Sequence, residues 1–182
     1  SVLGDGSLRY TGEYNVQLRI GHGKDQIEYA KWKQSLFSGL VKYSAPNSKG
    51  GWSFDTIPMY ELSKVYEDNY PNGKYNPNAD LINNLSPLAL AIWYMDDGTL
   101  YGGIDKKGRV RKPRASISIR ILSDAKRHLL LDWFWWNNIE VSLTNSGRLQ
   151  FTVEGTRSLH KLIAPYIHPS MEYKLLSEYR NQ

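Results

Sequence analysis

One short pattern occurs twice in this chain. "SVLGDGSL" (1–8) and "YMDDGTL" (94–100) each run from apolar residues into an acid, a glycine, a small hydroxyl residue and a leucine. Asp5-Gly6-Ser7-Leu8 aligns with Asp97-Gly98-Thr99-Leu100 at an offset of 92. The segments downstream of the two copies also correspond. "NVQLRI" (15–20) sets Val16, Leu18 and Ile20 on one face and Asn15, Gln17 and Arg19 on the other. "RASISIRI" (114–121) sets Ala115, Ile117, Ile119 and Ile121 inward and Arg114, Ser116, Ser118 and Arg120 outward. Alternation of period two marks a half-buried strand. A helix is expected after each, from Asp25 to about Leu40 and from Ser123 to about Asn137. Strands come next at "GWSF" (51–54) and "RLQFTV" (148–153), with Asn145-Ser146-Gly147 as a hairpin turn, and helices close each copy near 58–69 and 155–164. The whole reads as an internal duplication.

The second copy shows how its motif is built. Ser86-Pro87 supplies an N-cap and a first-turn proline. Gly98 is suited to the position just past a helix end. Between them LALAIWYMDD is apolar on every face, which predicts a helix buried all round, with Ala89 and Ala91 allowing close backbone approach. Two carboxylates at such an end oppose the helix dipole, by about 0.3–1 kcal/mol for one, and burial adds to the cost. Either the helix end opens to solvent, or a divalent cation with oxygen ligands offsets the charge.

The chain has 182 residues, 41% hydrophobic and 23% charged, and a formal net charge of +5. This is a foldable globular composition with a mild bias toward phosphate-bearing partners. Without cysteine, disulfides, thiolate ligands and thiol nucleophiles are excluded. No apolar run approaches a membrane span, and the opening SVLGDGSLRY has no basic start or cleavage pattern of a signal peptide. The outward strand residues are Arg, Gln, Asn and Ser, side chains that hydrogen-bond base edges and phosphates, and a two-stranded ribbon fits the DNA major groove. GGIDKKGRVRKPR (102–114) reads as a basic loop between strands. His22, His128, His160 and His168 form no ligand-spaced pair and read as structural or surface residues. The aromatics of WFWW (133–136) cannot all face one side of a helix, so one or two belong at an edge.

SVLGDGSL, LALAIWYMDDG, the Ser-Pro start of LSPLALAIWYMDDG and the late LIAPYIHPSMEYKL together resemble the LAGLIDADG homing endonucleases, in the single-chain, two-motif, intron-encoded meganuclease form. The resemblance covers nearly the whole chain, in order. It implies an α+β fold of two pseudo-symmetric αββαββα halves, 1–80 and 81–182, forming a saddle of antiparallel sheets, with the first motif helix truncated at Ser1. It implies a metal-dependent, site-specific DNA endonuclease that makes a staggered break with short 3′ overhangs. Asp5 and Asp97 become the metal-binding catalytic acids, with Gly4 and Asp96 contributing backbone carbonyl or local field. Lys74 and Lys174 become the basic catalytic residues. The DNA contacts become Arg9, Asn15, Gln17, Arg19, Ser53, Arg114, Ser116, Ser118, Arg120, Arg148 and Gln150. The working ion is Mg²⁺, with Mn²⁺ as a substitute and Ca²⁺ binding without supporting cleavage. The implied protein is a monomer acting on a long asymmetric duplex site, with no membrane association, in an organelle or in a microbial or phage-infected cytoplasm. The alternative is a maturase of the same fold that binds intron RNA to assist splicing.

Overall fold

A computed structural model describes residues 3–13, 15–104 and 107–181. The opening Ser1-Val2 of the first motif and residues 105–106 of the basic stretch lie outside the described residues. The chain divides into two compact units, Ser1–Lys74 and Tyr75–Gln182.

The first unit begins with a turn at residues 3–5, which carries Gly4 and Asp5, and passes into β1 (Gly6–Thr11) and β2 (Asn15–His22). A 3₁₀ turn at Lys24–Gln26 leads into α1 (Ile27–Ser35), shorter than the span predicted to Leu40, whose last residues form turns. β3 (Val41–Pro46), β4 (Trp52–Thr56) and α2 (Tyr60–Asn69) complete it. The strands form an antiparallel sheet in the order β1-β2-β4-β3. Leu8, Val16, Leu18, Ile20 and Phe54 are its buried face, packed against Phe37, Val41, Leu62, Val65 and Tyr66. The alternation read from the sequence sets this face, because each inward residue is two positions from the next.

The second unit opens with a short α3 (Ala79–Asn83), then α4 (Pro87–Asp97), β5 (Gly98–Ile104), β6 (Val110–Ser118), α5 (Asp124–Trp136), β7 (Val141–Leu143), β8 (Arg148–Phe151) and α6 (Val153–Ile163). From α4 onward the order is αββαββα, and the sheet repeats the first in the order β5-β6-β8-β7. Ala115, Ile117, Leu130, Phe134, Leu149, Phe151, Leu159 and Ile163 are buried, with Phe134 edge-on to Phe151 at 5.1 Å. The register repeats too: Gly6 pairs with Ile20 and Gly98 with Ile117. In each sheet a threonine hydroxyl satisfies one strand N–H, Thr56 for Leu18 at 3.1 Å and Thr156 for Ala115 at 2.8 Å.

The structure departs from the sequence pattern at several places. Residues 102–114 form strand over most of their length, since β5 runs to Ile104 and β6 starts at Val110. Ile121 is 74% exposed rather than inward, because β6 ends at Ser118 and a turn closed by Leu122 N–H on the Ile119 carbonyl breaks the alternation. Val153 is not a strand residue: Thr152 accepts from Gly155 N–H at 2.9 Å and caps α6. Gln17 and Ser116 lie on the outer face by register yet are buried, because arginines cover them. Gly147 does adopt a left-handed backbone, φ 71°, as the hairpin turn requires. In WFWW Phe134 is buried, while Trp135 and Trp136 are 71% and 86% exposed.

Candidate acidic sites and sheet surfaces

In the second unit the motif helix α4 forms as its sequence directs. Ser86 Oγ accepts from Ala89 N–H at 3.2 Å and Pro87 occupies the first turn. Leu90 through Met95 are buried, so the helix is held rigidly and delivers Asp96 and Asp97 at its end. Gly98 comes next, but not in the left-handed conformation expected of a helix-ending glycine; its φ is −78°. The reason for glycine is space: a Cβ there would lie 2.3 Å from the Tyr94 carbonyl oxygen and from its ring. The chain can therefore leave the helix directly as strand β5.

Asp96 and Asp97 border a cavity of about 580 Å³. Its other walls carry Thr99 and Ser118 from the strands, Arg120, Arg148, Tyr173 and Lys174. Two carboxylates thus face three cations. Lys174 is buried, and its Nζ donates to the Met95 carbonyl at 2.5 Å. Behind it, Tyr94 Oη donates to the Lys174 carbonyl at 2.8 Å, and His160 Nε2 lies 3.0 Å from that hydroxyl. Leu176 N–H donates to His160 Nδ1 at 3.0 Å, which puts the imidazole proton on Nε2. Burial pushes His160 down to about 4 and raises the Tyr94 phenol above its ordinary range. The sequence offered no signal for this chain of contacts, since its members are scattered and individually ordinary.

In the first unit Asp5 projects from the turn before β1, its side chain 44% exposed. Its Oδ2 lies 3.5 Å from Nδ1 of His22, a residue assigned from the sequence only a structural or surface place. The same Nδ1 meets Gln26 Oε1 at 3.1 Å, and Nε2 meets Lys33 Nζ at 3.2 Å. Lys33 is fully buried, 4.8 Å over the Tyr29 ring. A lysine donating to Nε2 fixes the imidazole proton at Nδ1, facing the carboxylate side. Lys74 is exposed at the end of the 3₁₀ turn Pro71–Gly73, and Gly4 is partly buried in the turn before Asp5.

The open faces of the two sheets carry the remaining candidates. In the first, Arg9 Nη2 and Arg19 Nε and Nη2 all donate to Asp55, at 3.1, 2.7 and 2.9 Å. Gln17, with its amide turned to suit its neighbours, accepts from Arg9 Nε at 2.9 Å and donates to Thr11 at 3.2 Å. Asn15 is exposed at the start of β2, and Ser53 accepts from Asn47 at 3.2 Å. Asp55 and Tyr43, in line with Arg19 across the sheet, were not singled out from the sequence. In the second, Arg148 donates to Ser116 at 3.2 Å and Gln150 donates to Tyr101. Arg114, with Arg109, Arg111 and Lys112, lines a second cavity on the β5–β6 hairpin. Ser118 and Arg120 belong to the acidic cavity rather than to the sheet centre.

Comparison with known proteins accounts for this architecture. The model of the LAGLIDADG DNA endonuclease family matches residues 1–162, and the chain belongs to that family. It is 34% identical over 194 residues to the protein RecA of Mycolicibacterium flavescens, covering 100% of this chain and 46% of that protein. It is 33% identical over 142 residues to the cytochrome b mRNA maturase bI2 of Debaryomyces hansenii, covering 75% of this chain and 46% of the maturase. The chain therefore spans about half the length of these curated relatives. In fold it is similar to the homing endonuclease I-WcaI bound to its DNA recognition sequence, with TM-score 0.77 and 21% identity over 96% of this chain and 82% of that one. The meganuclease I-SmaMI bound to uncleaveable DNA matches with TM-score 0.54 and 14% identity, over 98% and 84% of the two chains.

Proposed function

We propose that this chain is a site-specific double-strand DNA endonuclease that hydrolyses phosphodiesters with divalent metal ions and leaves short 3′ overhangs. One observation carries the reading: a buried helix ends in two carboxylates on a cavity that Lys174, Arg120 and Arg148 also line. Carboxylates suit a hard cation, and the three basic groups suit the phosphate that such a cation would share.

The donor chemistry fits Mg²⁺. Asp97 and its counterpart Asp5 are the primary carboxylates, one in each duplicated half, while Asp96 and Gly4 stand one residue before them and offer backbone carbonyls. When bound, the ion supplies Lewis acidity to the phosphate and activates water. Lys174, pinned through Met95, presents an ammonium where charge develops on the phosphoryl oxygens. Lys74 has the same role in the first half. Arg148 and Arg120 hold the phosphate backbone beside the cavity. The two sheet faces read base edges and position the duplex, so the target is long and asymmetric, and one chain carrying both motifs acts as a monomer. The DNA in the I-WcaI and I-SmaMI complexes supports this choice of partner.

The test is cleavage of a plasmid library of candidate sites with Mg²⁺, with Mn²⁺, with Ca²⁺ and with EDTA. Double-strand cutting at one site, abolished by EDTA and reduced to single-strand nicking by Asp97→Asn while DNA binding persists, is the expected result. Cutting that survives EDTA, or double-strand cutting that survives Asp97→Asn, overturns it. The likeness to a maturase favours a second reading, in which the same surfaces bind intron RNA. Rescue of intron splicing by a chain that cuts no DNA would select that reading.

A further inference from the structure

Arg19, Asp55 and Tyr43 sit side by side on three adjacent strands, with Ser7 beyond Arg19, as one row across the first sheet. Asp55 is only 8% exposed, yet its carboxylate lies beneath two arginines whose side chains are 44% and 45% exposed. We propose that Asp55 is a positioning residue for base recognition, and that it fixes Arg19 to read a guanine. The inference rests on the DNA-binding reading above and names the base that reading leaves open.

Donor geometry selects the base. A guanidinium has five N–H groups in a fixed fork. Asp55 takes Nε–H at 2.7 Å and one Nη2 hydrogen at 2.9 Å, which are the side edge of the fork. The end edge, one hydrogen each from Nη1 and Nη2, is then directed away from Asp55. Two parallel donors at that spacing match guanine O6 and N7 in the major groove. Because Asp55 already holds the plane, less rotamer freedom is lost on binding. The carboxylate also cancels much of the local positive charge. That weakens attraction to phosphate, which depends on net charge, and leaves the directional pairing with a base edge intact. The same Asp55–Arg19 hydrogen bond raises the Arg19 pKa, and a guanidinium is in any case a pure donor.

The equivalent row of the second sheet is Thr99, Ser116, Gln150 and Ser142, with no charged member. The Asp55–Arg19 pair is therefore not repeated at the equivalent row of the second sheet.

The experiment is selection from randomised duplex DNA in EDTA, so that binding is read without cleavage. Retained duplexes are sequenced for wild type, Arg19→Lys and Asp55→Asn, after thermal melting has confirmed folding. Wild type should enrich guanine at one position on the order of tenfold or more, the discrimination expected of a bidentate pair. Arg19→Lys should bring that position to within about twofold of the other bases while the remaining positions hold. Asp55→Asn should reduce the preference several-fold and strengthen binding to unrelated duplex. Should Asp55→Asn not fold, Asp55→Glu, which keeps the charge but moves it by one methylene, is read in its place. A uniform loss of affinity in Arg19→Lys, or a site preference untouched by both variants, overturns the inference and leaves the endonuclease reading standing. Wild type that enriches no sequence overturns both.

Discussion

Lys174 donates from Nζ to the main-chain carbonyl of Met95 at 2.5 Å, across 79 residues of sequence. Met95 lies in the last turn of α4, where carbonyls lack partners within the helix. The ammonium thus caps the helix and favours its dipole while standing beside Asp96 and Asp97. Lys174→Met should lower stability by about 1–3 kcal/mol and slow cleavage of one strand by on the order of 100-fold. Thermal melting and the ratio of nicked to linear plasmid measure the two effects.

Asp5 and Asp97 occupy equivalent places in the repeat. Replacing either with Asn keeps its size and removes its charge. Each single variant should nick only one strand, and the two should nick opposite strands. A duplex labelled on both strands shows this directly; loss of cutting on both strands from either change would contradict it.

His160 sets a pH dependence. Burial lowers it from about 6.5 to about 4, so between these values the unfolded chain binds a proton that the folded chain does not. Stability from this group is complete above about pH 6.5 and is lost as pH falls toward 4. The total is about 3 kcal/mol. Its facing groups are the Tyr94 hydroxyl and the Tyr179 ring. His160→Gln should flatten the acid limb of a denaturation series run from pH 7 to pH 4.

Gly98→Ala should destabilise by about 3 kcal/mol, the upper range for overpacking, because its methyl would meet the Tyr94 carbonyl and ring. A lowered melting temperature with an unchanged denaturant slope is the expected signature.

Much of the fold was legible because two periodicities dominate. Strict alternation at 15–20 and the Ser-Pro start with an apolar run at 86–95 each report a local arrangement that burial then enforces. The ends of elements were less legible. Thr152 and Gly98 can both continue or stop an element, and packing against Glu140 or Tyr94 decides which. The motif offered the acids and the family resemblance offered Lys174 as candidates, and the structure sets Asp96, Asp97 and Lys174 on one cavity. Lys33, His22 and Asp55 did not: a buried lysine, a histidine between two charges and a carboxylate under two arginines are tertiary facts, and alternation alone places them only on a strand or a helix face.

The two sheets share strand order and pairing, yet Ser7, Arg19, Asp55 and Tyr43 stand where Thr99, Ser116, Gln150 and Ser142 stand in the other. An unequal pair of rows on an equal frame has a head and a tail. On the endonuclease reading, rows that differ in this way would suit a duplex site only one way round. The polarity of recognition would then come from side chains and not from the repeated strand order.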